Sequence, residues 1–592
     1  MRRAAASLAA LAGRIAARAA ASPGIVASFA ALARRIAAGA VSAGAAGLAV
    51  VTTLAATAGI APTAATVTTA GVSGVSGVSA AGVAWVALVA GIAELSGMAT
   101  GVAEASAAAK AAGGARPARK APRQPAAPAA VGVPATGATP LQLAVGVEVA
   151  RTMRDTAAVG VHVLEVASGD TIYSYNGDDA RVTASNTKLF TTAAALDAFG
   201  PGSLFETRLL LRGPVQDGVL RGDLGVVGGG DPSIDGRASD GDSFAVFRGW
   251  AHDLAARGIH RIAGDLYLDA GLFEARQIHP DWPPEQLASW YEAPVAALSF
   301  NDNCVLVRVW PSARGGLARV EIAPPVPLFQ IRNTATTSGS PRHNHLSVVR
   351  HEDQLVVSGS IFRQSGPLEV FVTVPDAVQY FGLGLIAALA EEGVEMRGRL
   401  HPVSRLPGPV WERVSVYRSS LLDAVRIANK RSQNFYAESL VKLLGARRCG
   451  DGSWSKGVQA VGEFLTGLGV PNGSFRMVDG SGLSRQNGFT PRALTQLLRH
   501  MWFHRAGAEF VQSLPSAGEL EGSLHTRMTA PPYRGNVFAK TGTIEGVSAL
   551  SGYARALSGK VYAFSILINR SRDVYRSRQE EDRIAMALVD HG

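Results

Sequence analysis

Apolar and polar positions change period along this chain, and the changes mark its parts. Over residues 141–153 apolar residues recur at helical spacing, and 159–164 reads as a strand. A turn at Ser168-Gly169-Asp170 and a returning strand over 172–175 follow. A run of good helix formers from Asn186 to Phe199 is closed by Gly200. The long middle reads as strands at 206–211, 218–227, 262–268, 305–310, 318–322, 346–349 and 354–360. Helical patterns over 244–257 and 377–392 interrupt it. Near the C-terminus, 537–543, 547–554 and 561–568 predict three antiparallel strands, the last two joined at Ser558-Gly559. The succession predicts a mixed α/β (α+β) fold.

The N-terminal part follows neither period. Residues 36–93 are 58 consecutive positions without a charged side chain, preceded by an arginine-rich flank. A basic flank and an apolar segment such as 41–60 fit export or membrane association, with Ala56-Thr57-Ala58 as a small-residue cleavage pattern. A second apolar stretch covers 80–93, and a low-complexity alanine-rich leader is the other reading. Over 113–140 Pro, Ala and Arg dominate. That composition buries too little apolar surface to offset its ordering entropy, so it reads as a flexible tether.

Charge divides at the same place. Of 57 Lys and Arg and 47 Asp and Glu, eleven basic and two acidic residues fall in 1–130, which carries +9 of the formal +10. The remainder is nearly neutral, which excludes the broad positive face of a nucleic-acid binder. Cys304 and Cys449 are the only cysteines and have no His or Cys at ligand spacing, so neither a disulfide framework nor a zinc site is expected.

Three short motifs carry chemistry. Ser185-Asn186-Thr187-Lys188 opens a helical pattern, where helix-terminal N–H groups favour negative charge and Lys188 falls one turn from Ser185 on the same face. An amine held there out of water has a depressed pKa and can take the serine proton. Ser432-Gln433-Asn434 offers a relay hydroxyl and an orienting amide. Lys540-Thr541-Gly542-Thr543 lies on a strand: Lys540 supplies positive charge, Gly542 lets a substrate backbone approach, and the Thr541 and Thr543 hydroxyls suit a terminal carboxylate. The N–H groups of Ser185 and Thr543 would form an oxyanion hole. Each motif alone has an ordinary reading as a cap, turn or solvated lysine; together and in this order they describe serine acyl transfer.

With Asp479-Gly480-Ser481-Gly482-Leu483-Ser484-Arg485 and the run from Leu514 to Leu524, these motifs resemble the D-alanyl-D-alanine carboxypeptidase/endopeptidase family, the class C low-molecular-mass penicillin-binding proteins. The resemblance covers about 141–592. It implies a penicillin-binding-protein/β-lactamase-like transpeptidase fold with β-rich domains inserted between the first and second motifs. Their spacing, 247 positions from Ser185 to Ser432 against 108 from Ser432 to Lys540, leaves room for such an insertion. The expected organisation is a leader over 1–112, a linker over 113–140, a catalytic domain over 141–206 and 408–592, an inserted domain over 207–302 and 366–407, and a second β-rich insert over 303–365.

The resemblance also implies peptidoglycan peptides as substrates, β-lactams as acylating inhibitors, an extracytoplasmic location, and no metal or cofactor. Catalysis is expected from Ser185, Lys188, Ser432, Asn434 and Lys540, and substrate binding from Thr541, Gly542 and Thr543. A β-lactamase and a non-catalytic wall-binding protein are the rivals; no Glu-x-x-Leu-Asn run lies between Ser432 and Lys540. Gln433 stands where acidic or asparagine residues are common in the family. Some members bind a diamino-acid amine through an acid of the insert, and Asp281-Trp282-Pro283-Pro284-Glu285 is the nearest candidate. His343-Asn344-His345 and His500 with His504 lack further ligands and read as a loop and a helix surface. Glu438 reads as a helix-start or packing residue.

Overall fold

The computed structural model describes residues 137–154 and 158–592; the leader and most of the linker expected from the sequence lie outside the described residues. A five-stranded antiparallel sheet runs in the order Thr171–Tyr175, Ala158–Glu165, Val561–Asn569, Val547–Arg555, Val537–Ile544. Successive side chains of a strand face opposite sides, and here both sides are covered. Val159, Val161, Val163, Leu550 and Ile566 pack with Leu141, Val145, Ile584 and Leu588 of the terminal helices Pro140–Thr152 and Val574–His591. Ala549, Tyr553, Ala563 and Leu567 face a helical layer that includes Thr187–Phe199, Asn434–Cys449 and Pro491–Phe503. Two-sided burial explains the near-continuous apolar run over 561–568.

The helical layer holds the first two motifs. Thr187–Phe199 is entered through a 3-10 turn, Ala184–Asn186, and ends at Gly200 with φ +78°. Asn434–Cys449 is buried around most of its circumference, as a central helix must be. It stops at Gly450, whose left-handed φ of +73° lets its N–H reach the Gly445 carbonyl.

The chain leaves this layer through Leu204–Arg212 and returns through Glu412–Ser420, and the two strands pair antiparallel. They belong to a five-stranded sheet completed by Asp223–Val227, Leu266–Asp269 and Leu400–Val403. A second group places Cys304–Trp310 between Arg319–Ala323 and Leu368–Thr373. The last strand thus joins the sheet of the 303–365 segment, although it follows that segment in sequence. Gln354–Phe362 pairs with Gln330–Asn333 and His345–His351. Residues 338–343 and 361–367 belong to a separate compact unit from the remaining described residues.

Candidate active site

Three elements bring the motifs together. The turn Ala184–Asn186 places Ser185 half-buried at the head of its helix, between buried neighbours, and Ala184 takes a left-handed φ of +45°. Ser432 also sits at a left-handed φ, +56°, just before helix Asn434–Cys449. Left-handed backbone at non-glycine residues is strained and persists where surrounding packing holds it. The edge strand Val537–Ile544 lies against the nucleophile turn. A Cβ on Gly542 would stand 2.7 Å from the Thr183 carbonyl and 3.1 Å from the Ser185 nitrogen, so only glycine allows this approach. The sequence reading assigned that space to a substrate backbone; the turn Thr183–Asn186 occupies it.

Lys188 is the hub. Its Nζ lies 2.8 Å from Ser185 Oγ, 2.7 Å from Asn434 Oδ1 and 2.9 Å from the Ser481 carbonyl. The amine is fully buried. Burial lowers its pKa to about 7, while the Glu438 and Asp479 carboxylates pull it back upward. A neutral amine has two N–H groups and one lone pair. The amide oxygen and the backbone carbonyl are obligate acceptors and take the two N–H groups, which turns the lone pair to the Ser185 hydroxyl.

Lys540, also fully buried, donates to Ser432 Oγ at 2.8 Å and to the Thr541 carbonyl at 2.8 Å. Burial, and then the neighbouring Lys188 charge, push its pKa well below the ordinary lysine value. Asn434 Nδ2 is committed to the Tyr291 carbonyl at 2.9 Å, so this amide orients Lys188 through its oxygen. Gln433 turns away from the lysines and donates to Asp302 Oδ2 at 3.0 Å. There it borders a cavity of about 650 Å³ shared with Asp235, Arg237, Trp290 and Phe371.

Four functional positions were not assigned from the motifs. Glu438, one turn beyond Asn434, is fully buried and accepts from the N–H of Ser481 at 2.7 Å, the N–H of Gly480 at 2.9 Å and Trp454 Nε1 at 2.8 Å. It lies inside the helix and clamps the loop that holds Lys188, so of its two readings, helix-start or packing residue, the structure agrees with the second. Burial and the Asp479 charge raise its pKa to about 7. The Ser481 carbonyl is a backbone group, and motif reading sees side chains only. Thr541 donates to Ser523 Oγ at 2.7 Å, and Arg578 of the C-terminal helix donates to Thr543 Oγ1 at 3.3 Å. Arg578 follows Lys540 by 38 positions with no motif around it, and the sequence holds no signal for it.

Other candidates stay apart. Asp281 lines a cavity of about 400 Å³ with Glu274, His279 and Trp454 that includes no residue of the three motifs. His500 and His504 are half-buried instead of lying on a free helix surface, and His504 faces Asp197 at 3.3 Å. Among the described residues no cluster of His, Cys, Asp and Glu is arranged to hold a metal ion.

Known proteins resemble this chain in sequence and fold. Residues 145–590 match the model of the D-Ala-D-Ala carboxypeptidase 3 (S13) family. The chain belongs to that family. It is a serine-type D-Ala-D-Ala carboxypeptidase of the penicillin-binding class. It is 33% identical over 452 residues to the D-alanyl-D-alanine carboxypeptidase of Actinomadura sp. (strain R39), covering 74% of this chain and 82% of that one. Penicillin binding protein 4 (dacB) from Haemophilus influenzae superposes with a TM-score of 0.65 at 25% identity, covering 74% of this chain and 98% of that one. Its structure complexed with a novel β-lactam superposes at 0.62, covering 75% and 99%. The penicillin-binding/β-lactamase-like fold implied by the sequence is the fold observed.

Proposed function

We propose that the chain hydrolyses the terminal D-Ala-D-Ala bond of peptidoglycan stem peptides, and D-alanyl cross-bridges, through an acyl-enzyme on Ser185. The arrangement of Lys188 carries the reading: two fixed acceptors hold its N–H groups, and its lone pair meets the Ser185 hydroxyl. Ser185 Oγ attacks the D-alanyl carbonyl carbon as its proton passes to Lys188. The oxyanion sits between the N–H groups of Ser185 and Thr543, and Gly542 supports this by letting the strand approach the nucleophile turn.

The C–N bond then breaks, and the proton held by Lys188 passes to the leaving amine through Ser432, which is hydrogen bonded to Lys540, so that Lys188 is again a free base. Thr541, Thr543 and Arg578 bind the leaving carboxylate. Two charged lysines are disfavoured this close together in a dry site, so the arginine supplies the charge that does not depend on pH. Water then attacks the ester carbonyl, gives a proton to the base and releases Ser185. A β-lactam follows the first half of this path and leaves the serine acylated.

The family works outside the cytoplasm. For this chain, export and membrane association through the N-terminal segment are part of the proposal; among the described residues no helix is long and apolar enough to cross a membrane.

Intact mass after brief exposure to benzylpenicillin tests the assignment. The expected result is one persistent adduct on the wild type and none on Ser185→Ala, with hydrolysis of a D-Ala-D-Ala peptide by the variant reduced on the order of a thousandfold or more. Rapid drug turnover without an adduct would point to a β-lactamase. Neither adduct nor turnover would leave a wall-binding protein.

A further inference from the structure

One peptide group joins the base to a carboxylate that acyl transfer leaves unused. The Ser481 carbonyl accepts from Lys188 Nζ at 2.9 Å, and the N–H at the other end of the same peptide unit, that of Gly482, donates to Asp479 Oδ1 at 2.8 Å. A peptide hydrogen bonded at both ends is polarised, and its carbonyl becomes a stronger acceptor. Asp479 is fully buried. Asn487 Nδ2 also donates to Oδ1 at 2.7 Å, and Oδ2 takes the Ser484 N–H at 2.6 Å and Trp282 Nε1 at 3.2 Å. Among the described residues no Arg or Lys forms an ion pair with it, so its charge is held by dipoles alone and remains available to the nearest buried amine.

The loop cannot drift. Glu438 holds the N–H groups of Gly480 and Ser481, and Thr191 Oγ1 holds the Gly480 carbonyl at 2.8 Å. A Cβ on Gly482, whose φ is +84°, would lie 1.8 Å from the Ala184 carbonyl, so the loop rests directly on the turn that carries the nucleophile.

We infer that Asp479 is a positioning residue for the general base: through the Ser481–Gly482 peptide it aims the Lys188 lone pair at Ser185 and sets the electrostatic potential at that amine. The inference rests on the role of Lys188 in the proposed mechanism. The charged groups facing Lys188 are Asp479 from the loop, Glu438 from helix Asn434–Cys449 and Lys540 from the edge strand. The two carboxylates favour its protonated form, and Lys540 and burial oppose it.

The test is the pH dependence of Ser185 acylation by benzylpenicillin in the full chain, read by intact mass for the wild type, Asp479→Asn and Trp282→Phe. Removing the negative charge makes Lys188 a weaker base. Asp479→Asn is therefore expected to move the acid limb of the rate profile down by about one pH unit and to lower the plateau about tenfold. Trp282→Phe keeps the carboxylate but withdraws a donor from it, so the limb is expected to rise by roughly a few tenths of a unit. A lower plateau with an unmoved or raised limb in Asp479→Asn would mark a purely structural role and overturn the inference. Should that variant lose its near-UV circular dichroism and fail to fold, an unmoved or lowered limb in Trp282→Phe would overturn it as well. A wild type that forms no adduct refutes the proposed mechanism itself, a result separate from a wild type that acylates with a limb insensitive to Asp479.

Discussion

In the cleft, Lys188, Lys540, Glu438 and Asp479 are all fully buried, whereas on the inserted strands Arg308 pairs with Glu369 at 2.7 Å while 33% and 50% of the two side chains remain exposed. The two regions use the same residue types under opposite conditions. Water screens the inserted pair, so the pair contributes little. In the cleft the missing water is replaced by fixed dipoles: the N–H groups of Gly480, Ser481, Gly482 and Ser484 and two indole N–H groups serve the carboxylates. Ion pairing plays little part there, and the energy of protonation becomes a property of the whole shell.

The difference is sharpest in stability. Glu438→Ala strands three buried donors, each worth about 1–3 kcal/mol when left unpaired, so a loss on the order of 3 kcal/mol or more is expected in urea unfolding. A change under about 1 kcal/mol would mean that water replaces the carboxylate.

The next effect is on pH. Activity needs neutral Lys188, whose pKa burial brings to about 7. As pH falls below that value the protonated fraction grows, and the acylation rate constant of the wild type is expected to drop about tenfold per pH unit on the acid side. A flat profile between about pH 5 and 8 would separate the base from Lys188.

Arg578→Gln is expected to reduce kcat/KM about tenfold for a peptide ending in D-Ala-D-Ala. The same substrate with an amidated C-terminus should lose almost nothing, because the guanidinium is expected to act on the carboxylate charge. Equal losses on both substrates would show that the arginine only supports the strand.

Smallest of all, Glu369→Ala on the inserted strand is expected to change stability by less than about 1 kcal/mol, with peptide hydrolysis unchanged. A larger loss would show that the exposed pair behaves like the buried ones and erase the contrast.

The sequence was most legible where local pattern and burial agree. Strand 561–568 and helix 186–199 are long, apolar and bounded by clear signals, and they appear as Val561–Asn569 and Thr187–Phe199. Leu400–Val403 and Glu412–Ser420 were not read as strands. Pro402 interrupts the first, and the second, Glu412-Arg413-Val414-Ser415-Val416-Tyr417-Arg418-Ser419-Ser420, contains no fully buried residue that would impose an alternation. Such strands are held by pairing with distant partners, Leu266–Asp269 and Leu204–Arg212, which local pattern does not encode.

The sequence by itself determined the reaction class, because a serine, a lysine one turn later, a relay hydroxyl and a lysine-threonine-glycine strand are recognisable from type, order and spacing. Only the tertiary structure decided how the lysines are dried and held. Ser481 meets Lys188 through its backbone, Glu438 and Asp479 act through peptide groups, and Arg578 reaches Thr543 from the C-terminal helix. Each of these depends on which chain segments pack together to exclude water, and a lysine pKa near 7 exists only after that packing is complete.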